Sequence, residues 1–517
     1  MLPRYFNKLC IRNYSFKKTI LVQQKQKSHN IVADIIEENK ITNSQDWKKI
    51  RDTLLGIKNN TGHYSKNNID AVILEYCIKK NKHELGTNYI NFLKEENIKP
   101  NLGFIGKYFK FLYNINKDIC HKEGKKCPKD QEEIVLKMYN DLRIEYPLLD
   151  SVSLENIIPA LSLTSEWKKC VDLLKEIHFS ATPTGEVYSS VAAAAFLNKQ
   201  ENLSWDLLRE VIEFQKQIKS VAFLSYLTSL KKLKKRENIL IKLKQMFVFL
   251  KENEIICDQV VAEEIGTYVK KLGLTGSLTY INQKGFCKNC QQQLQKFELS
   301  NEEFEDLKNK ILNKVILGKD IFVKTNPLEL DKFTAFVSNQ DRFDVVLDGL
   351  NIAYSVGTKQ PPSVFAALLA AVVSHFREQN KKVLVVGRQH MTRWPQQSWN
   401  YINENATVFL AQNISQDDPY LLYCAINSGK DTIIVTSDLM RGHRFRLETA
   451  KHRLLFNRWL TQRQYQLLKV VGSGKPIFKH PLPYSITTQE NGHCWHIPFK
   501  KEVIKDNESS VGWLCIS

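Results

Sequence analysis

Phe343-Asp344-Val345-Val346-Leu347-Asp348-Gly349-Leu350-Asn351 decides how this chain is read. Its apolar run at 345–347 is short enough for a buried strand, and it ends on a carboxylate followed by glycine. A second stretch of the same form, Thr432-Ile433-Ile434-Val435-Thr436-Ser437-Asp438, lies downstream, and the acidic pair Asp417-Asp418 sits between them. In an open parallel sheet, ligands gather outside the carboxyl ends of the strands. Two strand-end aspartates with an acidic pair make a cage for a hard cation such as Mg²⁺. Two such ions about 4 Å apart can activate a water and stabilise a leaving oxygen in phosphodiester hydrolysis.

Each acid also has a plain structural alternative. Asp418 before Pro419 reads as an N-cap with proline at the first helical position. Asp348-Gly349 and Asp438 read as turn chemistry. The four together, Asp348, Asp417, Asp418 and Asp438, favour the metal site.

The surrounding segment, about 335–470, alternates strand and helix. The strand at 343–347 precedes a helix over Ser363–Gln379. A strand at 382–387, a short helix around 399–402 and a strand at 407–410 come next, then a helix over Pro419–Asn427, the strand at 432–436 and a basic helix. That order predicts a parallel α/β sheet covered on both faces. After Asp438, Arg441, His443, Arg444, Arg446, Lys451, His452, Arg453 and Arg458 gather with Phe445 and Trp459 between them. Guanidinium groups suit bidentate phosphate contact.

Composition agrees with an anionic partner. Among 517 residues, 74 Lys+Arg stand against 55 Asp+Glu, a net charge of +19, and nucleic acid is the first class such an excess suggests. The length predicts several domains. Eleven cysteines are too scattered for a disulfide scaffold. No apolar run approaches the ~18 residues of a membrane span, so no membrane insertion is expected. Residues 1–33 contain no Asp or Glu and spread Arg4, Lys8, Arg12, Lys17, Lys18, Lys25 and Lys27 among apolar residues. A basic amphipathic start of this kind resembles a mitochondrial targeting segment; the alternative is an RNA-binding tail.

Residues 35–270 have apolar spacing of helical period throughout, as in Ile69, Val72, Ile73, Tyr76 and Cys77. Pro147 and Pro183 open comparable helices 36 residues apart, and further equal steps land on Lys219 and Ile255. Two helices per unit of about 35 residues predict a helical solenoid. The preceding units keep phase only with an insertion near Lys117–Asp130. The turn phrase Glu96-Asn97-Ile98-Lys99-Pro100-Asn101 resembles that of pentatricopeptide repeats; a protein-binding solenoid is the alternative.

Cys287-Lys288-Asn289-Cys290 is a zinc half-site, because two thiolates on a tight turn can share one tetrahedral ion. The C-terminal tail offers His493, Cys494, His496 and Cys515, of which His496 and Cys515 are favoured as the other two ligands. Cys120-His121 and Cys127, in a Lys/Gly-rich stretch, form a weaker metal candidate.

These pieces resemble one family. Asp348-Gly-Leu-Asn351, Asp417-Asp418-Pro-Tyr-Leu-Leu-Tyr423 and Ser437-Asp438-Leu-Met-Arg441, with Cys287-x-x-Cys290 and Trp495-His496-Ile-Pro498, look like protein-only ribonuclease P of the animal mitochondrial kind. The resemblance implies four parts: a targeting segment over 1–33, pentatricopeptide repeats over 35–270, a split zinc-binding domain over 272–334 and 472–517, and an NYN (PIN-like) metallonuclease domain over 335–471. It implies removal of the 5′ leader from precursor tRNA in the mitochondrial matrix, leaving a 5′-phosphate tRNA and a 3′-hydroxyl leader. The four aspartates would hold Mg²⁺ or Mn²⁺, two ions, and Cys287, Cys290, His496 and Cys515 one structural Zn²⁺. Asn351, Arg441, His443 and Arg444 would contact RNA. The expected partners are a tRNA methyltransferase subunit and a short-chain dehydrogenase-like subunit. One departure stands out: the family usually has Asp where this chain has Gly442. A non-catalytic organellar RNA-binding protein with a degenerate nuclease domain is the alternative reading.

Overall fold

The computed structural model describes residues 31–38, 41, 43–56, 64–312, 332–333, 335–337, 340, 342–412, 418–438, 440, 446–502 and 510–517. The expected targeting segment thus lies almost entirely outside the described residues. The described chain divides into two compact units. One comprises residues 280–491, the other residues up to 279 together with 492–517.

The helical unit begins with α1 (Ile31–Glu38), α2 (Ser44–Gly56), α3 (Ile69–Lys79) and α4 (His83–Glu95). It continues as α5 (Leu102–His121), α6 (Lys129–Glu145), α7 (Ser151–Leu161), α8 (Lys169–His178), α9 (Gly185–Leu197), α10 (Glu201–Glu213), α11 (Ser220–Leu230), α12 (Arg236–Glu252) and, after the short strand β1 (Cys257–Asp258), α13 (Gln259–Lys271). The first helices of successive pairs stack in series, α3 on α5, α5 on α7, and so on to α13. From α7 onward they start at Ser151, Gly185, Ser220 and Gln259, close to the expected repeat. A helix in mid-stack is covered on nearly all sides, and the composition of α9 reflects this: of its residues only Glu186 and Leu197 are not fully buried. Its run Ala192–Ala195 lets neighbouring backbones approach closely.

The expected insertion mostly lengthens helices. The fifth helix has 20 residues and the sixth 17, leaving only 122–128 as a connection. The extended end of α5 is held from a distant repeat. Thr228 Oγ1 donates to the carbonyls of His121 and Lys122, and Ser225 Oγ lies 2.9 Å from His121 Nδ1. Burial pushes His121 down to about 3, so the ring is a neutral packing group. Cys120, His121 and Cys127 do not form a metal-type cluster among the described residues.

The far end of the stack is closed by a sheet. β1 lies parallel to the strand Cys494–Lys500, which pairs antiparallel with Val511–Ile516, and that strand pairs antiparallel with β2 (Gly276–Thr279). Ile497, Phe499, Leu514 and Ile516 share one core with Val261, Ile265 and Val269 of α13. A terminal repeat has an apolar face with no neighbour, and the end of the chain supplies the cover.

In the second unit α14 (Asn301–Lys310) starts with a capping box between Ser300 and Glu303. The α/β alternation follows: β3 (Val345–Asp348), α15 (Gly349–Ala353), α16 (Pro362–Arg377), β4 (Val383–Arg388), α17 (Gln396–Asn405), β5 (Thr407–Ala411), α18 (Asp418–Ser428), β6 (Ile433–Val435) and α19 (Ala450–Arg463). Two strands that the sequence pattern did not reveal extend the sheet, β7 (Gln464–Val470) and β8 (Pro476–Lys479). They form its edge, and a register shift between Leu467 and Lys469 breaks their alternation. The order is β5-β4-β3-β6-β7-β8, parallel except for β8. In β3, Val346 enters the core with Leu421, Ile426 and Trp459, while Val345 and Leu347 enter the opposite core with Phe365, Leu369 and Val372. Burial on both faces explains why this strand is an uninterrupted apolar run.

The N-terminal helices carry one buried ionic cluster. Asp70 accepts Arg51 Nε at 2.8 Å, Arg51 Nη2 at 3.3 Å and the Tyr89 hydroxyl at 2.6 Å, while burial pushes the Tyr89 phenol up. Asp70→Ala would strand both donors. It should lower the unfolding free energy by about 3 kcal/mol, measured by urea denaturation.

Candidate active site and metal cluster

The strand order places a switch point beside β3. The chain runs outward from β3 through β4 to β5, then returns to lay β6 on the other side of β3. Crevices form at such points, outside the carboxyl ends. Asp348 is the last residue of β3, and Asp438 follows β6 by three residues. α18 follows β5 and packs against β3. Asp418 is its first residue, and only its backbone is described.

Asp348 is 8% exposed, which requires its charge to be satisfied. Its Oδ1 accepts the Asn351 N–H at 3.0 Å, capping α15, and its Oδ2 accepts the Thr436 hydroxyl at 2.8 Å. Thr436 Oγ1 in turn accepts the Asp438 N–H at 3.1 Å, and Asn351 Oδ1 accepts the Ser437 N–H at 2.8 Å. Gln464, the first residue of β7, donates its Nε2 to the carbonyls of Thr436 and Asp438 at 2.8 and 2.7 Å. The side chain of Asp438 is exposed, and its Oδ1 accepts the Met440 N–H at 2.6 Å. Met440 takes a φ of +47° and is buried, so the chain turns sharply after Asp438. Each carboxylate oxygen has lone pairs beyond these bonds, and hard oxygen donors suit Mg²⁺ or Mn²⁺.

Gly349 is set by space rather than by turn conformation. A Cβ there would lie 2.8 Å from the Met391 methyl and 3.1 Å from the Val386 carbonyl. The backbone after Asp348 therefore lies tight against β4.

Sequence reasoning brought Asp348, Asn351 and Asp438 together, and the structure gathers them into one hydrogen-bonded group. Asp417, Arg441, Gly442, His443 and Arg444 lie outside the described residues. Thr436 and Gln464 were missed. Thr436 was visible as the strand-end residue before Ser437-Asp438, whereas Gln464 had no signal, since only the pairing of β6 with β7 brings it near. The basic cluster after Asp438 proves mixed. Arg453 is buried and donates its Nη1 to the Leu447 and Glu448 carbonyls at 2.9 and 2.6 Å. Lys451 and His452 meet Asp306. Trp459 belongs to the core. Arg453 and Trp459 serve the packing of α19, because one face of the helix must bury against the sheet, while Lys451 stays exposed.

The second candidate site consists of Cys287, Cys290, His496 and Cys515, whose ligand atoms all lie within 4.8 Å of one another. His496 and Cys515 are directly opposite in the antiparallel pair, and the Cys287 carbonyl accepts the Gln291 N–H at 3.0 Å, closing the turn that carries both thiols. Burial lowers the pKa of His496, which favours the neutral ring that can ligate. Three thiols and one imidazole this close together match the donor set of a structural zinc site.

The architecture is a helical repeat array followed by a mostly parallel α/β sheet with carboxylates at its switch point. Residues 281–515 match the family model for protein-only RNase P. The chain is 31% identical over 395 residues to the mitochondrial ribonuclease P catalytic subunit of Mus musculus, covering 75% of this chain and 67% of the mouse protein. It is 28% identical over 491 residues to the Rattus norvegicus protein of the same name, covering 92% of this chain and 78% of that one. The crystal structure of nuclear proteinaceous RNase P 2 from A. thaliana shares the fold, with a TM-score of 0.56 at 14% identity over 88% of this chain and 99% of that one. The chain belongs to the protein-only ribonuclease P family. It is accordingly a metal-dependent endoribonuclease.

Thr436→Val should remove the hydroxyl bond to Oδ2 of buried Asp348 and lower the unfolding free energy by about 1–3 kcal/mol. Thr436→Ser should restore most of it, as read by chemical denaturation.

Proposed function

We propose that this chain is the catalytic subunit of a mitochondrial ribonuclease P that cuts the 5′ leader from precursor tRNA in the matrix, leaving a 5′-phosphate on the tRNA and a 3′-hydroxyl on the leader. The observation that carries the reading is the bonded group of Asp348, Thr436, Asn351 and Asp438 at the sheet's switch point. Asp348, Asp417, Asp418 and Asp438 would hold two Mg²⁺ or Mn²⁺ ions. When bound, these supply an activated water and charge at the leaving oxygen. The chain's own contribution is positional: Thr436 and the Asn351 N–H orient Asp348, and Gln464 holds the backbone of the turn that presents Asp438. Asn351, Arg441, His443 and Arg444 would meet the RNA backbone.

The helices over 35–270 would act as pentatricopeptide repeats that grip the tRNA. The segments 272–334 and 472–517 would form a connector around one Zn²⁺, and 335–471 an NYN nuclease domain. Residues 1–33 would serve as the targeting segment. A tRNA methyltransferase subunit and a short-chain dehydrogenase-like subunit would be the partners. Among the described residues no helix is long and apolar enough to cross a membrane.

Asp417→Asn and Asp438→Asn should each abolish leader cleavage while precursor tRNA binding persists, read by end-mapped cleavage and gel shift; cleavage by both variants at saturating Mg²⁺ would overturn the assignment. Zinc content should be about one ion per chain and should drop in Cys287→Ser and in Cys515→Ser, measured by elemental analysis.

A further inference from the structure

The four most exposed large apolar side chains among the described residues fall at adjoining helix ends in the middle of the helical unit. They are Phe179 at 88%, Ile144 at 81%, Leu148 at 79% and Val152 at 69%. Ile144 is in the last turn of α6, Leu148 in the link to α7, Val152 in the first turn of α7, and Phe179 directly follows α8. One carboxylate gathers these ends: Glu176 Oε1 takes Arg143 Nη1 at 3.0 Å and the Leu149 N–H at 3.2 Å. Apolar side chains so exposed and so concentrated mark an interaction surface.

Charge indicates what covers it. Asp141, Glu145 and Asp150 are exposed around the same turn. Two of the nearby cations are paired, Arg143 with Glu176 and Lys175 with Asp172, and Lys137 is exposed one turn before Asp141. In a chain of net charge +19 this is an acidic, apolar island. RNA phosphates would be repelled by it, and a second copy docking through the same face would set acid against acid. We infer that the Ile144–Val152 turn with Phe179 docks a basic, apolar segment of a partner protein, its apolar side chains covering the patch and its Lys or Arg residues meeting the acidic rim. The inference stands independently of the reaction proposed above.

The test uses the full chain, free of RNA, and two labelled amphipathic helical peptides of equal length, one built from Leu and Lys and the other from Leu and Glu. Fluorescence anisotropy should show binding of the Leu/Lys peptide only. The variant carrying Leu148→Glu and Phe179→Glu should weaken that binding about tenfold or more, and Asp141→Lys with Glu145→Lys should weaken it too. All four side chains are exposed, so melting temperatures should be unchanged. Equal binding of both peptides, equal binding by variants and parent, dimerisation of the parent chain that Phe179→Glu abolishes, or a loss of tRNA affinity in the Leu148/Phe179 variant would each overturn the inference.

Discussion

A carboxylate that is nine-tenths buried must have its charge satisfied, and in this chain that requirement organises the α/β unit around Asp348. Its two oxygens draw donors from different segments, the first turn of α15 and the end of β6. Thr436 can donate there only if β6 lies beside β3 in register, Val435 opposite Leu347. Gln464 then holds the carbonyls on both sides of the turn, so β7 is committed as well. Satisfying one buried acid thus fixes the ends of three neighbouring strands, and the same bonds present Asp438 to solvent at the crevice. The close approach at Gly349 belongs to the same arrangement, because a side chain there would push the strand end away from β4.

The helical unit obeys a different constraint. Repeats stay together by burying faces against their neighbours, so sequence likeness between repeats can decay while the stack survives. Asn101 and Asp150 still cap their helices by accepting backbone N–H groups, and the alanines of α9 still admit close neighbours. The place where the period slips is carried by longer helices, secured by His121, Ser225 and Thr228 across more than a hundred residues of sequence.

Legibility was uneven for physical reasons. β3, β4, β5 and β6 were readable because parallel strands covered on both faces are apolar without interruption. β7 and β8 were not, since an edge with a register shift has neither a continuous run nor a clean alternation. Cys287-x-x-Cys290 was readable from spacing alone. The choice of His496 and Cys515 among four tail candidates rested on pattern, and their meeting depends on an antiparallel register that sets them opposite each other. In the segment after Asp438, Arg453 and Trp459 turn inward to pack α19, which residue type alone does not show.

By itself the sequence determined the kinds of elements, their order and the residue types at the strand ends, because apolar period, glycine and carboxylates act locally. Only the tertiary structure decided which of those residues share a site. Thr436 reaches Asp348 across 88 residues, and Gln464 reaches the Asp438 carbonyl across 26. Hydrogen bonds of that range follow from strand pairing, and no local pattern encodes them.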